Sequence, residues 1–165
     1  MNTYIKNELA NLISILKTNF NGYPWHGESA ERTLLTKPTK FLLDRPKYFQ
    51  KMVWKLTNEI IGWKKILIRT LQEGDLDFNQ EVQRMSYHHP KDFNAELWKS
   101  LFHQYKSEHT ELLKALEEFH RKPALSIKLV QQLNGKLLNV IMHEVYCMGQ
   151  IEILLQTKKK HFEMD

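Results

Sequence analysis

Apolar residues recur every three or four positions along four long stretches of this chain, which is the spacing of amphipathic helices. The predicted helices cover residues 3–18, 46–71, 94–120 and 133–155. Turn and helix-ending residues separate them, with Gly74 after the second helix and Pro123 after the third. The alternation typical of strands is scarce. The pattern therefore predicts an all-α fold, a four-helix bundle.

The connections between the predicted helices differ in length. A short helix over residues 29–36 is expected after the first long helix, and Pro38 follows its end. Residues 74–93 form a connection between the second and third helices that is long for a compact domain. It is expected either to cross the bundle or to line a site. His88 and His89 within it are interpreted as loop residues near a pocket mouth.

The composition is that of an ordinary soluble domain. Hydrophobic residues make up 42% of the chain and charged residues 26%. The length of 165 residues predicts a single domain over residues 1–165. No apolar run approaches the ~20 residues needed to cross a bilayer. The first residues lack the basic and apolar regions of a signal peptide, and a single cysteine suits a reducing compartment. A cytoplasmic location without a membrane partner is expected.

The formal net charge of +5 comes from basic residues that are dispersed along the chain. They form a late run at residues 158–160 and smaller groups such as Lys64 and Lys65. A nucleic-acid binder usually concentrates its basic residues on one face, so a nucleic-acid partner is not expected. These lysines are interpreted as parts of solvated helix faces and a basic tail.

His143 and Cys147 are the first candidates for chemistry. They stand four residues apart in the fourth predicted helix, so both side chains project from the same face. Imidazole and thiolate are both ligands of zinc-type ions. On a helical wheel of the second predicted helix, Glu59 falls within the apolar arc and should face the bundle interior, where an unpaired charge is costly.

The three side chains of Glu59, His143 and Cys147 are therefore expected to converge if the second and fourth helices are neighbours. They would form a three-ligand metal site with an open position. An ion-free arrangement stays open as well, in which Glu59 pairs with His143 and Cys147 packs as a small hydrophobe. His103 and His109 on the third helix are expected at the surface or facing a partner. No Gly-rich phosphate loop, Ser–His–Asp order or paired-cysteine zinc motif is visible.

The chain resembles the DinB-like (DinB/YfiT) family of four-helix-bundle proteins. Residues 143–151 read HEVYCMGQI, beside the family pattern His-Asp-x-Tyr-His-x-Gly-Gln-Ile. Residues 54–63 read WKLTNEIIGW and are similar to Trp-x-Leu-x-x-His-x-x-x-Trp, while residues 25–29 read WHGES and look like the turn Trp-x-Gly-x-Ser. The resemblance covers nearly the whole chain and keeps the helix order.

The resemblance implies a homodimer with a divalent metal, zinc or nickel, held by three histidines. Those positions fall on Glu59, His143 and Cys147, so only His143 keeps the family's residue type. Glu and Cys are also zinc ligands, and a thiolate favours zinc over harder ions. The metal site of the family is therefore expected to be either altered in its ligands or lost in this chain.

The resemblance also implies a function, a metal-dependent thiol S-transferase or a hydrolase-like enzyme that uses a low-molecular-weight thiol. The alternative is a non-catalytic dimeric binding protein that keeps the fold without the metal. Five further residues are expected near the site. Tyr146 and Gln150 are interpreted as packing or supporting residues, Asn58 as a weaker supporting one, and Trp25 and His26 as bordering the pocket, with Trp25 more simply an anchor for its loop.

Overall fold

The computed structural model describes residues 3–25, 27–36, 39–74, 78–85, 88–123 and 125–156. In these ranges the regular structure is entirely helical, which confirms the predicted all-α class. None of the helices within them is long and apolar enough to span a membrane. The elements in chain order are α1 (Thr3–Asn21), a π-helical turn (Glu31–Leu35), α2 (Thr39–Leu43), α3 (Lys47–Glu73), α4 (Phe78–Arg84), α5 (Ala95–Arg121) and α6 (Ile127–Gln156).

The four long helices α1, α3, α5 and α6 correspond to the four predicted ones, and local chemistry explains their ends. Pro46 precedes α3, where a fixed φ suits the first turn, and Gly74 ends it with a φ of 98°. Asn94 caps α5, because its Oδ1 accepts a hydrogen bond of 2.9 Å from the backbone N–H of Leu97.

The fourth long helix begins earlier than predicted, at Ile127 instead of residue 133. Ser126 explains the difference, because its Oγ accepts a hydrogen bond of 3.1 Å from the N–H of Leu129 and so caps the first turn. Val130 N–H also bonds to the Ser126 carbonyl at 3.2 Å. The extra turns carry exposed Ile127 and Leu129, which blurred the apolar periodicity.

The connections contain more structure than predicted. The long connection over residues 74–93 is not all loop, since it contains α4, which Arg69 of α3 binds through a 2.7 Å ion pair with Glu81. The predicted short helix at residues 29–36 is a π-helical turn with buried Thr33 and Leu34. The short helix α2 was not predicted.

Packing brings α3 against both α5 and α6, and α1 against the same two helices. Within the described ranges, the buried apolar side chains form two clusters. The first includes Phe20, Leu56, Trp98, Tyr105 and Cys147. The second includes Leu9, Leu67, Leu112 and Leu137. The contact between α3 and α6 is the one that positions the candidate site.

Candidate metal centre

Glu59 on α3 and His143 and Cys147 on α6 lie together, as the helical-wheel argument predicted. Each offers one ligand atom, and these atoms all lie within 4.8 Å of one another. Cys147 Sγ is 3.5 Å from His143 Nε2, one helical turn away on the same face. The arrangement therefore offers an oxygen, a nitrogen and a sulfur ligand to one point.

The three side chains differ in their burial and in their neighbours. Cys147 is only 1% exposed and belongs to the first apolar cluster. The ring of Trp63 stacks against that of His143, with 4.8 Å between ring centroids. The Glu59 side chain is 22% exposed and lies 3.6 Å from Lys55 Nζ. Glu59 therefore faces α6 as expected but is only partly buried, as His143 is, whereas Cys147 is enclosed.

Burial controls the protonation of the two ligands on α6. Burial, together with the nearby carboxylates of Glu59 and Glu144, raises the pKa of the Cys147 thiol to about 12, with a small opposing effect from Lys55. Burial also lowers the pKa of His143, although the same two carboxylates oppose that shift. Without an ion, the pair is therefore a neutral thiol beside a neutral imidazole. Carboxylate, imidazole and thiolate together fit a zinc-type ion.

A buried polar network next to the centre was missed by the sequence analysis. Glu144 follows His143 and is 1% exposed, while Lys64 of α3 is completely buried. Lys64 Nζ donates a hydrogen bond of 2.8 Å to Glu144 Oε2, and the Tyr105 hydroxyl of α5 donates to Glu144 Oε1. Both carboxylate oxygens are thus paired, as a buried charge requires.

His109 of α5 completes this network. Its Nδ1 lies 3.0 Å from Lys64 Nζ, and its ring stacks on Phe20 with 4.0 Å between centroids. Burial, reinforced by the nearby Lys64 charge, lowers the pKa of His109 to about 2. The interpretations of Lys64 as a solvated lysine and of His109 as a surface residue are therefore wrong. We call Lys64, Tyr105, His109 and Glu144 the buried quartet.

The buried quartet had a signal in the sequence. Glu144 stands among apolar residues of the α6 arc, between Ile141 and Met148, and Lys64 stands between Ile61 and Leu67. On a helical wheel both positions fall within the apolar arc, as Glu59 does. One acidic and one basic residue in the apolar arcs of neighbouring helices indicate a buried ion pair.

The other residues expected near the site differ in their exposure and in their contacts. Tyr146 is 68% exposed, so its interpretation as a packing residue is wrong, and Gln150 is half-buried. Asn58 Nδ2 donates to the Trp54 carbonyl of its own helix at 2.9 Å. Trp25 is 96% exposed, so it is not a buried hydrophobic residue of its loop. His26 lies outside the described residues.

A cavity of about 360 Å³ lies beside the centre along α3. Its lining consists of Tyr48, Lys51, Met52, Trp54, Lys55 and His89. Lys55 joins it to the centre, because this lysine also contacts Glu59. We call it the α3 cleft. His89 at its wall agrees with the expectation of a histidine near a pocket mouth.

Comparisons with protein-family models, with curated proteins and with solved structures each gave no match. The geometry of the site and the resemblance of its motifs are therefore the two indications of function.

Proposed function

We propose that this chain is a DinB-like four-helix bundle with a long connection between its second and third long helices, and that it binds a zinc-type ion through Glu59, His143 and Cys147. The convergence of these three ligand atoms within 4.8 Å carries the proposal. They stand at the three positions where the family has its histidines, and α3 and α6 pack directly against each other.

The proposed activity is that of a metal-dependent thiol S-transferase or a hydrolase-like enzyme. A bound ion of this kind lowers the pKa of a thiol or water and holds the nucleophile that results. The Glu59 side chain is 22% exposed and contacts Lys55, which lines the α3 cleft, so this cleft is the proposed route of the substrate. In the α3 cleft, Met52 and Trp54 offer an apolar wall, while Lys51 and Lys55 attract an anionic group.

The remaining parts of the proposal depend on the resemblance. They are a homodimeric state, zinc in preference to nickel, a low-molecular-weight thiol as co-substrate, and a cytoplasmic location. Cys147 supports the choice of zinc, because a thiolate ligand suits that ion.

A second candidate is a non-catalytic dimeric binding protein that does not hold a metal. Contacts within the chain favour it, because each of the three side chains already has a partner. Lys55 pairs with Glu59, Trp63 stacks on His143, and the Cys147 thiol is protonated and packed in the apolar cluster. An ion must displace the thiol proton before Cys147 becomes a ligand.

Metal content per chain separates the two candidates. Untagged full-length protein is offered zinc and nickel, dialysed, and analysed by elemental mass spectrometry beside His143→Ala and Cys147→Ala. Tyr146→Ala is the matched control, because Tyr146 lies on the same helix but is exposed. About one ion per chain in the wild type and the control, lost in both ligand variants, supports the metal enzyme. No ion in the wild type supports the binding protein.

A further inference from the structure

Over residues 135–153, all of which the structure describes, the exposed side of α6 contains no charged residue. Its exposed positions are Gly135, Leu138, Asn139, Met142, Tyr146, Gly149 and Ile153. We call these seven residues the α6 face. The exposed side of α5, by contrast, includes five charged residues, Lys99, Lys106, Glu111, Lys114 and Glu118. The α6 face is therefore not an ordinary solvated helix face.

The apolar side chains of the α6 face are large and strongly exposed. Leu138 is 44% exposed, Met142 62%, Tyr146 68% and Ile153 67%. They follow one another at intervals of four, four and seven residues, so they lie along one line of the helix. A continuous exposed apolar line without charges is typical of a surface that another molecule covers.

Two glycines of the α6 face also indicate contact with a molecule outside the chain. A Cβ atom added at Gly135 or Gly149 would meet no atom of the described chain within 4 Å, apart from the adjacent turns of α6. Packing inside the chain therefore does not require glycine at either position, although glycine destabilises the interior of a helix. A backbone that approaches α6 closely from outside accounts for both glycines.

The order of residues along the α6 face matches a second copy of the same face. A dimer with two-fold symmetry has a self-complementary contact, in which each pair of residues occurs twice. Two antiparallel α6 helices that cross at Met142 bring together positions at equal distances before and after it. Leu138 then meets the partner subunit's Tyr146, and Gly135 meets the partner subunit's Gly149. Apolar side chains thus meet near the axis, and the glycines let the backbones approach on both sides of it.

The chemistry of the α6 face disfavours other occupants. A helix that lies on a membrane surface is usually rich in lysine and arginine beside its apolar residues, and none of the seven residues is basic. A charged protein or a nucleic acid would have to bury its own charges against this face without a partner for them. A second copy of the face brings no charge, as the core of a protein interface requires.

We propose that the α6 face is the contact surface between two copies of this chain, which pack antiparallel around a two-fold axis at Met142. The proposal rests on the homodimeric state in the proposed function, and it adds the surface and the orientation of the two chains. It does not depend on a metal ion, because Glu59, His143 and Cys147 all belong to one chain.

Like charges at the two-fold axis test the face. Sedimentation equilibrium of the full-length wild type should show a dimer, and Met142→Lys or Met142→Glu should each weaken that dimer at least tenfold, because equal charges then meet at the axis. An equimolar mixture of the two variants should form a dimer at least tenfold tighter than either variant alone, because opposite charges meet. Tyr48→Lys is the matched control, since Tyr48 is 67% exposed but lies on α3.

The outcomes separate this proposal from the rest of the proposed function. A monomeric wild type overturns the α6 face together with the homodimeric state. A dimer that survives in both Met142 variants, or a mixture that dimerises no better than its components, overturns only the α6 face. Tyr146→Ala should also weaken the dimer, but it keeps all three ligands of the metal centre.

Cross-linking tests the same contact without adding a charge. Met142→Cys places two thiols at the axis, within reach of a disulfide, and diamide as the oxidant should convert the protein to a covalent dimer. Lys99→Cys, at an exposed position of α5, is the control, and Cys147 is only 1% exposed and should not react in the wild type. Cross-linking of Met142→Cys that is no faster than that of Lys99→Cys contradicts the proposal.

Discussion

Glu144 and Lys64 form an ion pair with almost no access to solvent, and both sides of the pair have further partners. Burial lowers the pKa of Lys64, against the opposing effect of Glu144. Burial also raises the pKa of Tyr105 well above its usual value, so its hydroxyl stays a donor. Because the charges compensate each other, the loss of one partner should be far more damaging than the loss of both.

Substitution of one partner of this pair should therefore destabilise the protein strongly. Glu144→Gln leaves the Lys64 ammonium buried without its counter-charge, and we expect the free energy of unfolding to fall by about 3–5 kcal/mol. The double variant Lys64→Met with Glu144→Gln should recover most of that loss. Urea denaturation measures both. Glu59→Gln, at a partly exposed position, is the control and should change the free energy by less than about 1 kcal/mol. A double variant no more stable than Glu144→Gln contradicts the ion-pair account.

His109 should make the stability depend on pH. Its pKa is about 2 in the folded protein and 6.5 when the group is unperturbed. The unfolded chain thus takes up a proton below pH 6.5 while the folded chain does not, so this contribution to stability is present above pH 6.5 and lost as the pH falls. Between pH 7 and pH 5 this effect should lower the free energy of unfolding by about 2 kcal/mol. Urea denaturation at pH 7 and at pH 5 measures this loss. In His109→Gln the free energy of unfolding should fall less between the two pH values, because the histidine is absent. An equal fall in that variant would exclude His109 as its source.

At the residue scale, the sequence predicted which three side chains meet at the centre but not how deeply each lies. Glu59 was placed in the interior because the wheel treats an apolar arc as uniformly buried. The Glu59 side chain is instead 22% exposed and lies 3.6 Å from Lys55 Nζ. Lys64 was assigned to a solvated face because lysines are rarely buried without a partner. Its partners come from two other helices, and no local pattern identifies both of them.

At the element scale, the long helices were predictable and the short ones were not. Helices such as α3 and α5 repeat their apolar spacing over many turns. The five residues of α2 and the seven of α4 span too few turns to show a period. The extent of α6 depended on the Ser126 cap, a signal that lies outside the apolar pattern. Caps therefore carry information on helix ends that periodicity does not.

The cap of α5 provides a test at this scale. Asn94→Ala removes the side-chain acceptor of the Leu97 N–H, and we expect the free energy of unfolding to fall by about 1 kcal/mol. Asn94→Asp keeps the acceptor and is the matched control. Thermal or urea unfolding measures the difference. Equal stability of the alanine and aspartate variants would show that this cap does not stabilise α5.

At the scale of the whole molecule, the candidate centre joins α3 to α6, and the buried quartet joins both to α5. Lys64 and Tyr105 bind Glu144, the residue that follows His143. These contacts fix the orientation of α6 about its own axis at the centre. Ion binding at the centre adds a further link between α3 and α6. A ligand that binds the folded chain stabilises it by mass action.

Zinc should therefore raise the stability of the whole protein. At free zinc about 100 times its dissociation constant, the expected gain in the free energy of unfolding is about 2.7 kcal/mol, visible as a higher melting temperature. Differential scanning calorimetry measures it. Cys147→Ser should lose most of the gain, whereas Tyr146→Ala should keep it. A gain of the same size in Cys147→Ser would mean that zinc binds elsewhere.

X-ray absorption at the zinc edge of the loaded full-length protein identifies the atoms bound to the ion and is therefore the decisive measurement for the proposed centre. The proposed centre predicts one sulfur at about 2.3 Å, with nitrogen and oxygen ligands at about 2.0–2.2 Å. In Cys147→Ser the sulfur contribution should disappear. A wild-type spectrum with nitrogen and oxygen alone would contradict the participation of Cys147 and with it the proposed Glu59, His143 and Cys147 centre.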